Sequence, residues 1–414
     1  MGSVAAIADK FAKGAFMTAG PQKLRAIFEF LVVAACTMTF ALTAMGIVGS
    51  FFTRDAAGTR DFIEYWAAGH QLIQHSNPYD FQEILKLERS AGFPAGHPPQ
   101  VAANAPSALV LFLPLGVFGP VAAEVLWLVL LLVALFASVQ LIRSMHPDRA
   151  KSPLYLLAYG FAPVLSCLLA GQISLFILLG LVLFLRFHRT RPILAGAALW
   201  LCLLKPQLFL PFGVVLLTWI FMTRSYKILI GTAAALGVGS CLATMMDPLV
   251  WKQYSQMMGI ARVDRIQLPC LSAMLRLHVY PHTFWLQCSP AGLACLWAIA
   301  YFLKRRETWD WTTHGSILML VSVTVAPYSW FMDQSVLIPA LLYGAYVTRS
   351  RTLVSILALM SAALEFATFH GVGQASSVYA WTAPAWLVWY LFANRAKSPM
   401  LNASVVLPIS EPAL

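Results

Sequence analysis

The run ILAGAALWLCLLKPQLFLPFGVVLLTWIFM, residues 193–222, carries a single ion, Lys205. A bilayer is crossed by about 20 apolar residues, so the run is too long for one crossing and short for two. Two features break it at one point. Pro206 removes a helical N–H and clashes with the preceding turn. An ammonium at membrane depth is costly unless it reaches water or meets an anion. The reading depends on which side of the membrane Lys205 occupies.

The rest of the chain answers that. Of 414 residues, 59% are hydrophobic and 11% charged, and mean hydropathy is +0.73. Soluble domains carry about 25% charged residues, so the composition predicts an all-α polytopic membrane protein. Apolar runs mark about twelve spans, at 27–49, 120–142, 154–170, 173–187, 193–204, 208–222, 228–246, 286–303, 316–327, 332–347, 353–369 and 378–392. The first is too long for a signal-peptide core and is read as an uncleaved span.

Net charge is +11, with 28 Lys and Arg against 17 Asp and Glu. Most of the cations lie in short clusters: the N-terminal Lys10, Lys13, Lys23 and Arg25, then Arg143/Arg149/Lys151, Arg186/Arg189/Arg191, Arg224/Lys227, Lys304/Arg305/Arg306, Arg349/Arg351 and Arg395/Lys397. Placing every cluster in the cytoplasm satisfies the positive-inside rule and requires two crossings between neighbours. Both termini are then cytoplasmic, Lys205 is a turn on the outer side, and 193–204 and 208–222 are separate spans. Residues 105–117 lie between an outer loop and a span that must end inside, so they are expected not to cross. The scattered charge suits anionic lipid and argues against nucleic acid.

Two long outer loops follow, 50–103 and 247–285. The first holds Thr59-Arg60-Asp61-Phe62-Ile63-Glu64-Tyr65-Trp66 and Asn77-Pro78-Tyr79-Asp80. Two short helices are expected, near 60–75 and 81–89, with Asn77-Pro78 as the turn. Asp61 and Tyr65 then share a helix face. Asp61 is either a helix cap or a base facing the membrane domain, and we favour the base. Glu64 falls four residues after Arg60 and is read as its ion-pair partner. Cys270 and Cys288 border the second loop, where a disulfide and free thiols are both open.

Polar residues at membrane depth gather on the same outer side. Gly171-Gln172 ends one hairpin and Lys205-Pro206-Gln207 the next, while Pro327-Tyr328-Ser329-Trp330 leads to Asp333. Glu124, Glu365 and His370 lie at that level too. A shared pocket is the simplest explanation. Lys205 suits a lipid phosphate, with Arg262 and Arg265 as further candidates or as solvated loop residues. Asp333 is the second candidate base, or the counterion of Lys205 or Arg265. His97 and His370 are read first as structural, with His370 kept as a pocket candidate. Tyr65, Trp66, Tyr328 and Trp330 are candidates for stacking on a sugar ring or simply belong to the aromatic belt. The chain has no Asp-x-Asp pair, Walker motif or dinucleotide fingerprint, which argues against a nucleotide-sugar donor, and no cofactor is expected.

Asp61-Phe62-Ile63-Glu64-Tyr65, Asn77-Pro78-Tyr79-Asp80, His97-Pro98-Pro99, Gly171-Gln172-Ile173-Ser174, Leu203–Gln207 and Pro327-Tyr328-Ser329-Trp330 with Asp333 and Pro339 together resemble glycosyltransferase family 87. The resemblance implies a GT-C fold in a bacterial inner membrane and a polyprenyl-phosphate-linked sugar donor, commonly mannose. It also implies a lipid or polysaccharide acceptor on the periplasmic side, with Asp61 as base of an inverting, metal-independent transfer. Lys205 would hold donor phosphate, and Tyr65, Gln172, Tyr328 and Asp333 would shape the pocket. Phe331-Met332-Asp333 replaces the His-rich segment of some members, so a His role there is either lost or passes to Asp333. The competing class is a transporter of lipid-linked sugars, for which polar residues at the midplane and on both faces would be expected.

Overall fold

A computed structural model describes residues 21–52, 61–260, 268–370, 373 and 376–396. Every regular element among them is a helix, the form in which a chain satisfies its backbone within hydrocarbon. After α1 (Pro21–Phe52) come the two short helices expected in the first outer loop, α2 (Phe62–Ile73) and α3 (Phe81–Ser90). The Asn-Pro-Tyr-Asp turn joins them. Asn77 Oδ1 accepts from the Tyr79 N–H at 2.9 Å, and Asp80 caps α3 by accepting from the N–H groups of Gln82 and Glu83 at 2.8 and 3.1 Å.

Residues 105–117 form no long helix. They fold as a 3₁₀ turn, Pro106–Leu111, and the four-residue α4 (Leu113–Gly116). Backbone meets backbone where α2 crosses α4: a Cβ on Gly69 would sit 2.2 Å from the carbonyl oxygen of Phe112. Then follow α5 (Pro120–Met145), α6 (Ala162–Ala170), α7 (Ser174–Phe187), α8 (Pro192–Cys202), α9 (Leu210–Thr223) and α10 (Lys227–Met246). Residues 247–285 supply α11 (Val250–Ile260) and α12 (Leu271–Val279). The chain continues with α13 (Phe284–Arg305), α14 (His314–Thr324), α15 (Ile338–Val347), α16 (Arg351–Phe369) and α17 (Thr382–Arg395).

Among the described residues, five helical stretches are long and apolar enough to cross a membrane: Pro120–Met145, Pro206–Thr223, Lys227–Met246, Phe284–Thr308 and Arg351–Phe369. Phe30–Gly46, Ser174–Phe187, Pro192–Cys202 and His314–Thr324 are shorter apolar helices. On α5 a stripe of Val121, Val125, Val129, Leu132 and Phe136 faces outward, as a lipid-facing helix requires.

The quoted run is broken where expected. α8 stops at Cys202, Lys205 is extended at φ −139° and ψ 71°, and the chain resumes as a 3₁₀ turn, Pro206–Phe209, before α9. α8 packs against α7 and α10, whereas α9 packs against α13 and α14. Gly196 of α8 lies under Ile228 near the start of α10. At the other end of α8, Asn104 reaches the Leu204 carbonyl, while its neighbour Ser107 touches Gly239 far along α10. α8 and α10 therefore run the same way, and α9 returns between them. All seven cysteines are free thiols, with Cys270 buried and Cys288 exposed, so the disulfide option is not taken.

Candidate active site

Several helices bring an end to one place. α2 presents Asp61 and Tyr65, the turn between α6 and α7 presents Gln172 and Ser174, the α8–α9 break presents Lys205, and the 3₁₀ segment Phe331–Leu337 presents Asp333. The α6–α7 turn depends on Gly171 at φ +73°, a left-handed conformation that favours glycine. A Cβ there would also lie 2.8 Å from Cβ of Phe62, the residue after Asp61. Trp127 of α5 fixes the turn from below by donating to the Gly171 carbonyl at 2.6 Å.

The side chains form one chain of hydrogen bonds centred on Gln172. Its Nε2 donates to Asp61 Oδ2 at 2.7 Å. Its Oε1 accepts from Tyr65 OH at 2.9 Å and from Lys205 Nζ at 3.2 Å. Lys205 is 9% exposed and pairs with Asp333 at 2.7 Å. It is therefore not a lysine stretching to the headgroups but a buried ion with its counterion. Asp333, fully buried, also accepts from Ser174 Oγ at 2.6 Å and from the Trp330 N–H at 2.9 Å. With three donors satisfying it, Asp333 is the counterion of Lys205, and the alternative of a second free base loses its support.

Asp61 occupies the N-cap position of α2, yet its side chain caps no backbone N–H. Its carboxylate is turned to Gln172 instead, and it remains half-buried. Burial raises its pKa above the ordinary carboxylate value, against the opposing pull of the Gln172 hydrogen bond and the Lys205 charge. Glu64, one turn along, is raised as well. Burial first, and the Asp61 charge second, push its carboxyl up to about 8. Arg60, its expected partner, lies outside the described residues, as do Arg262 and Arg265.

Of the aromatic candidates, two are excluded from stacking on a sugar. The Tyr65 ring is packed by Phe112 and Trp127, with centroids at 4.8 and 5.4 Å. Trp66 stacks on His70 and donates to the Phe118 carbonyl at 2.9 Å. Tyr328 stays half-buried beside the site, its hydroxyl accepting from Trp330 Nε1 at 3.0 Å. Leu268, Cys270 and Ala273, from the segment 247–285, pack against this pair. His370 stands apart: it is exposed, stacks on Phe366 and bonds the Phe366 carbonyl of its own helix. Glu365 pairs with Thr43 of α1 at 2.9 Å and does not join the network, and exposed His97 packs its ring edge on Phe93. Glu124 is buried near the start of α5.

A family model described as glycosyltransferase family 87 matches residues 103–355, more than half of the chain. The chain belongs to glycosyltransferase family 87. No curated protein and no solved structure matches it. The family 87 match contains Gln172, Ser174, Lys205, Tyr328 and Asp333 but begins after Asp61 and Tyr65. The hydrogen bonds of Gln172 are what attach the first-loop acid to the matched region. One residue of the network and one beside it have a setting that the sequence does not give. Ser174 carried no role although it stands in the Gly-Gln-Ile-Ser run, and Glu64 was given to Arg60 by local spacing.

Proposed function

We propose that this family 87 protein transfers a hexose, by resemblance mannose, from a polyprenyl-phosphate donor to a hydroxyl of a lipid or glycan acceptor. The observation that carries the reading is the Gln172 amide, which holds Asp61 on its nitrogen and Lys205 on its oxygen. A proton acceptor and a phosphate-binding cation are thus set one amide apart, the spacing a single displacement needs. Asp61 takes the proton of the acceptor hydroxyl, whose oxygen attacks the anomeric carbon. The bond from that carbon to the phosphate oxygen breaks, and polyprenyl phosphate leaves with the electron pair. One displacement inverts the anomeric centre. The raised proton affinity of Asp61 suits it to this step, since a base works best with a pKa near the working pH. Lys205 has three N–H donors and spends two on Gln172 and Asp333, leaving the third for a phosphate oxygen.

The same reading gives the rest of the architecture. Arg143, Arg186 and Arg224 end helices that start at the Asp61 end of the bundle, and on this reading those basic ends face the cytoplasm and Asp61 the periplasm of a bacterial inner membrane. The resemblance implies a GT-C fold, and the apolar runs with that sidedness suit about twelve spans and cytoplasmic termini. Metal independence rests on the lack of an Asp-x-Asp pair. The test is transfer from labelled polyprenyl-phosphate hexoses by protein in proteoliposomes. Asp61→Asn and Asp61→Ala should insert and fold yet lose transfer by about 10² or more. Full activity in either variant removes Asp61 from the chemistry, and movement of labelled lipid across the bilayer without transfer to an acceptor selects the transporter reading.

A further inference from the structure

Where α8 breaks, the Leu204 carbonyl has lost its helical partner, because Leu208 donates to Lys205 instead. At 6% exposure Leu204 is too buried for water to serve it well. The vacancy is filled from the first outer loop: Asn104 Nδ2 donates to the Leu204 carbonyl at 3.0 Å. Asn104 is fixed in turn by Tyr79 of the Asn-Pro-Tyr-Asp turn, whose hydroxyl donates to the Asn104 carbonyl at 2.7 Å. Tyr79 is 2% exposed and its ring packs on Tyr254 of α11.

We propose that Asn104, braced by Tyr79, is a positioning residue for Lys205. The bond is made to the residue directly before the lysine, at the point where the backbone turns to φ −139°. That turn decides whether Nζ reaches Gln172 and Asp333 together. The loop that carries Asp61 and the turn that carries Lys205 are thereby one rigid frame, tied at Gln172 through side chains and at Asn104 through the main chain. The inference rests on the phosphate-binding role of Lys205 for its consequence, while the mechanical coupling stands on the contacts themselves.

The full-length protein in detergent serves for the test, with an amine-acetylating reagent followed by mass spectrometry of Lys205, and with donor and acceptor KM. Asn104→Ala should raise the labelling rate of Lys205 and the KM for the lipid-phosphate donor by about fivefold, the worth of one hydrogen bond. Tyr79→Phe, which removes only the hydroxyl, should move both in the same direction by less, and acceptor KM should stay put. Alkylation of Cys36, buried far away against Gly160, reports general loosening and should not change. Unaltered Lys205 labelling or donor KM in a folded Asn104→Ala protein overturns the proposal, and so does faster labelling accompanied by faster Cys36 alkylation. If Asn104→Ala does not fold, Tyr79→Phe alone decides by the same criteria. A wild-type protein that uses no polyprenyl-phosphate donor overturns the transferase reading instead, and the labelling contrast then judges the coupling by itself.

Discussion

Removing Asp333 and removing Lys205 should not cost the same. The pair sits at 2.7 Å, where the gross attraction is about 6 kcal/mol at an effective dielectric of about 20. Desolvating two ions consumes several kcal/mol each, so the net value of the pair is small while the cost of breaking it is large. Asp333→Leu leaves a buried ammonium with one acceptor, Gln172, and strands the Ser174 hydroxyl and the Trp330 N–H. That should destabilise by about 3–5 kcal/mol. Lys205→Met leaves Asp333 with two donors and the option of taking up a proton, for a cost nearer about 2 kcal/mol. The double variant Lys205→Met/Asp333→Leu should recover about 3 kcal/mol against the sum of the two singles, more than Lys205→Met costs alone. Because a polytopic protein seldom unfolds reversibly, the measurement is survival of folded protein at a fixed temperature in one detergent. The expected ranking is wild type, then the double variant and Lys205→Met, with Asp333→Leu last. Additive losses, or a double variant that survives no longer than Asp333→Leu, would refute the pairing. A well-folded double variant that still transfers sugar at the wild-type rate would refute the phosphate role of Lys205.

Three other perturbations test the frame around that pair. Gln172→Leu removes the hydrogen bond that lowers the Asp61 pKa, so the acid limb of the kcat/KM profile should move to higher pH, and an unmoved limb would detach Gln172 from the base. Gly171→Ala combines a left-handed residue with a Cβ forced against Phe62, and should cost at least about 1 kcal/mol in stability with a lower kcat, measured by thermal inactivation and transfer assays. Glu88 is buried, its carboxylate accepts from the Gln100 N–H, and burial pushes its pKa up to about 7. A raised pKa means the folded state favours the protonated form, so this contribution is complete below about 4.5 and is lost as pH rises through about 7. Glu88→Gln should flatten the fall in stability across that interval, and an unchanged slope would count against it.

What could be read from the residues was whatever a local rule determines. Asn77-Pro78 stops one helix and Asp80 starts the next within a few residues of chain, so α2 and α3 were legible with the turn between them. The break at Lys205-Pro206 was legible because a proline and a lone ammonium in an apolar run each forbid a straight helix. Even the convergence of Gln172, Lys205 and Asp333 followed from counting crossings between basic clusters, since sidedness constrains where every turn must lie. Partner choice was another matter. Asp333 had Lys205 and Arg265 as rival cations and a free existence as a third option, and nothing in a spacing of 128 residues selects among them. For Glu64 the i,i+4 rule offers Arg60, which lies outside the described residues, and only the structure shows that the helix buries this carboxyl beside the Asp61 charge. The aromatic candidates divide on the same ground, because Tyr65 is enclosed by Phe112 and Trp127, which arrive from distant parts of the chain, while Tyr328 stays half-buried. Asn104 shows the limit most plainly. An asparagine before Ala-Pro reads as loop, and only the neighbouring orphan carbonyl at Leu204, itself a product of the helix break, gives its amide a task.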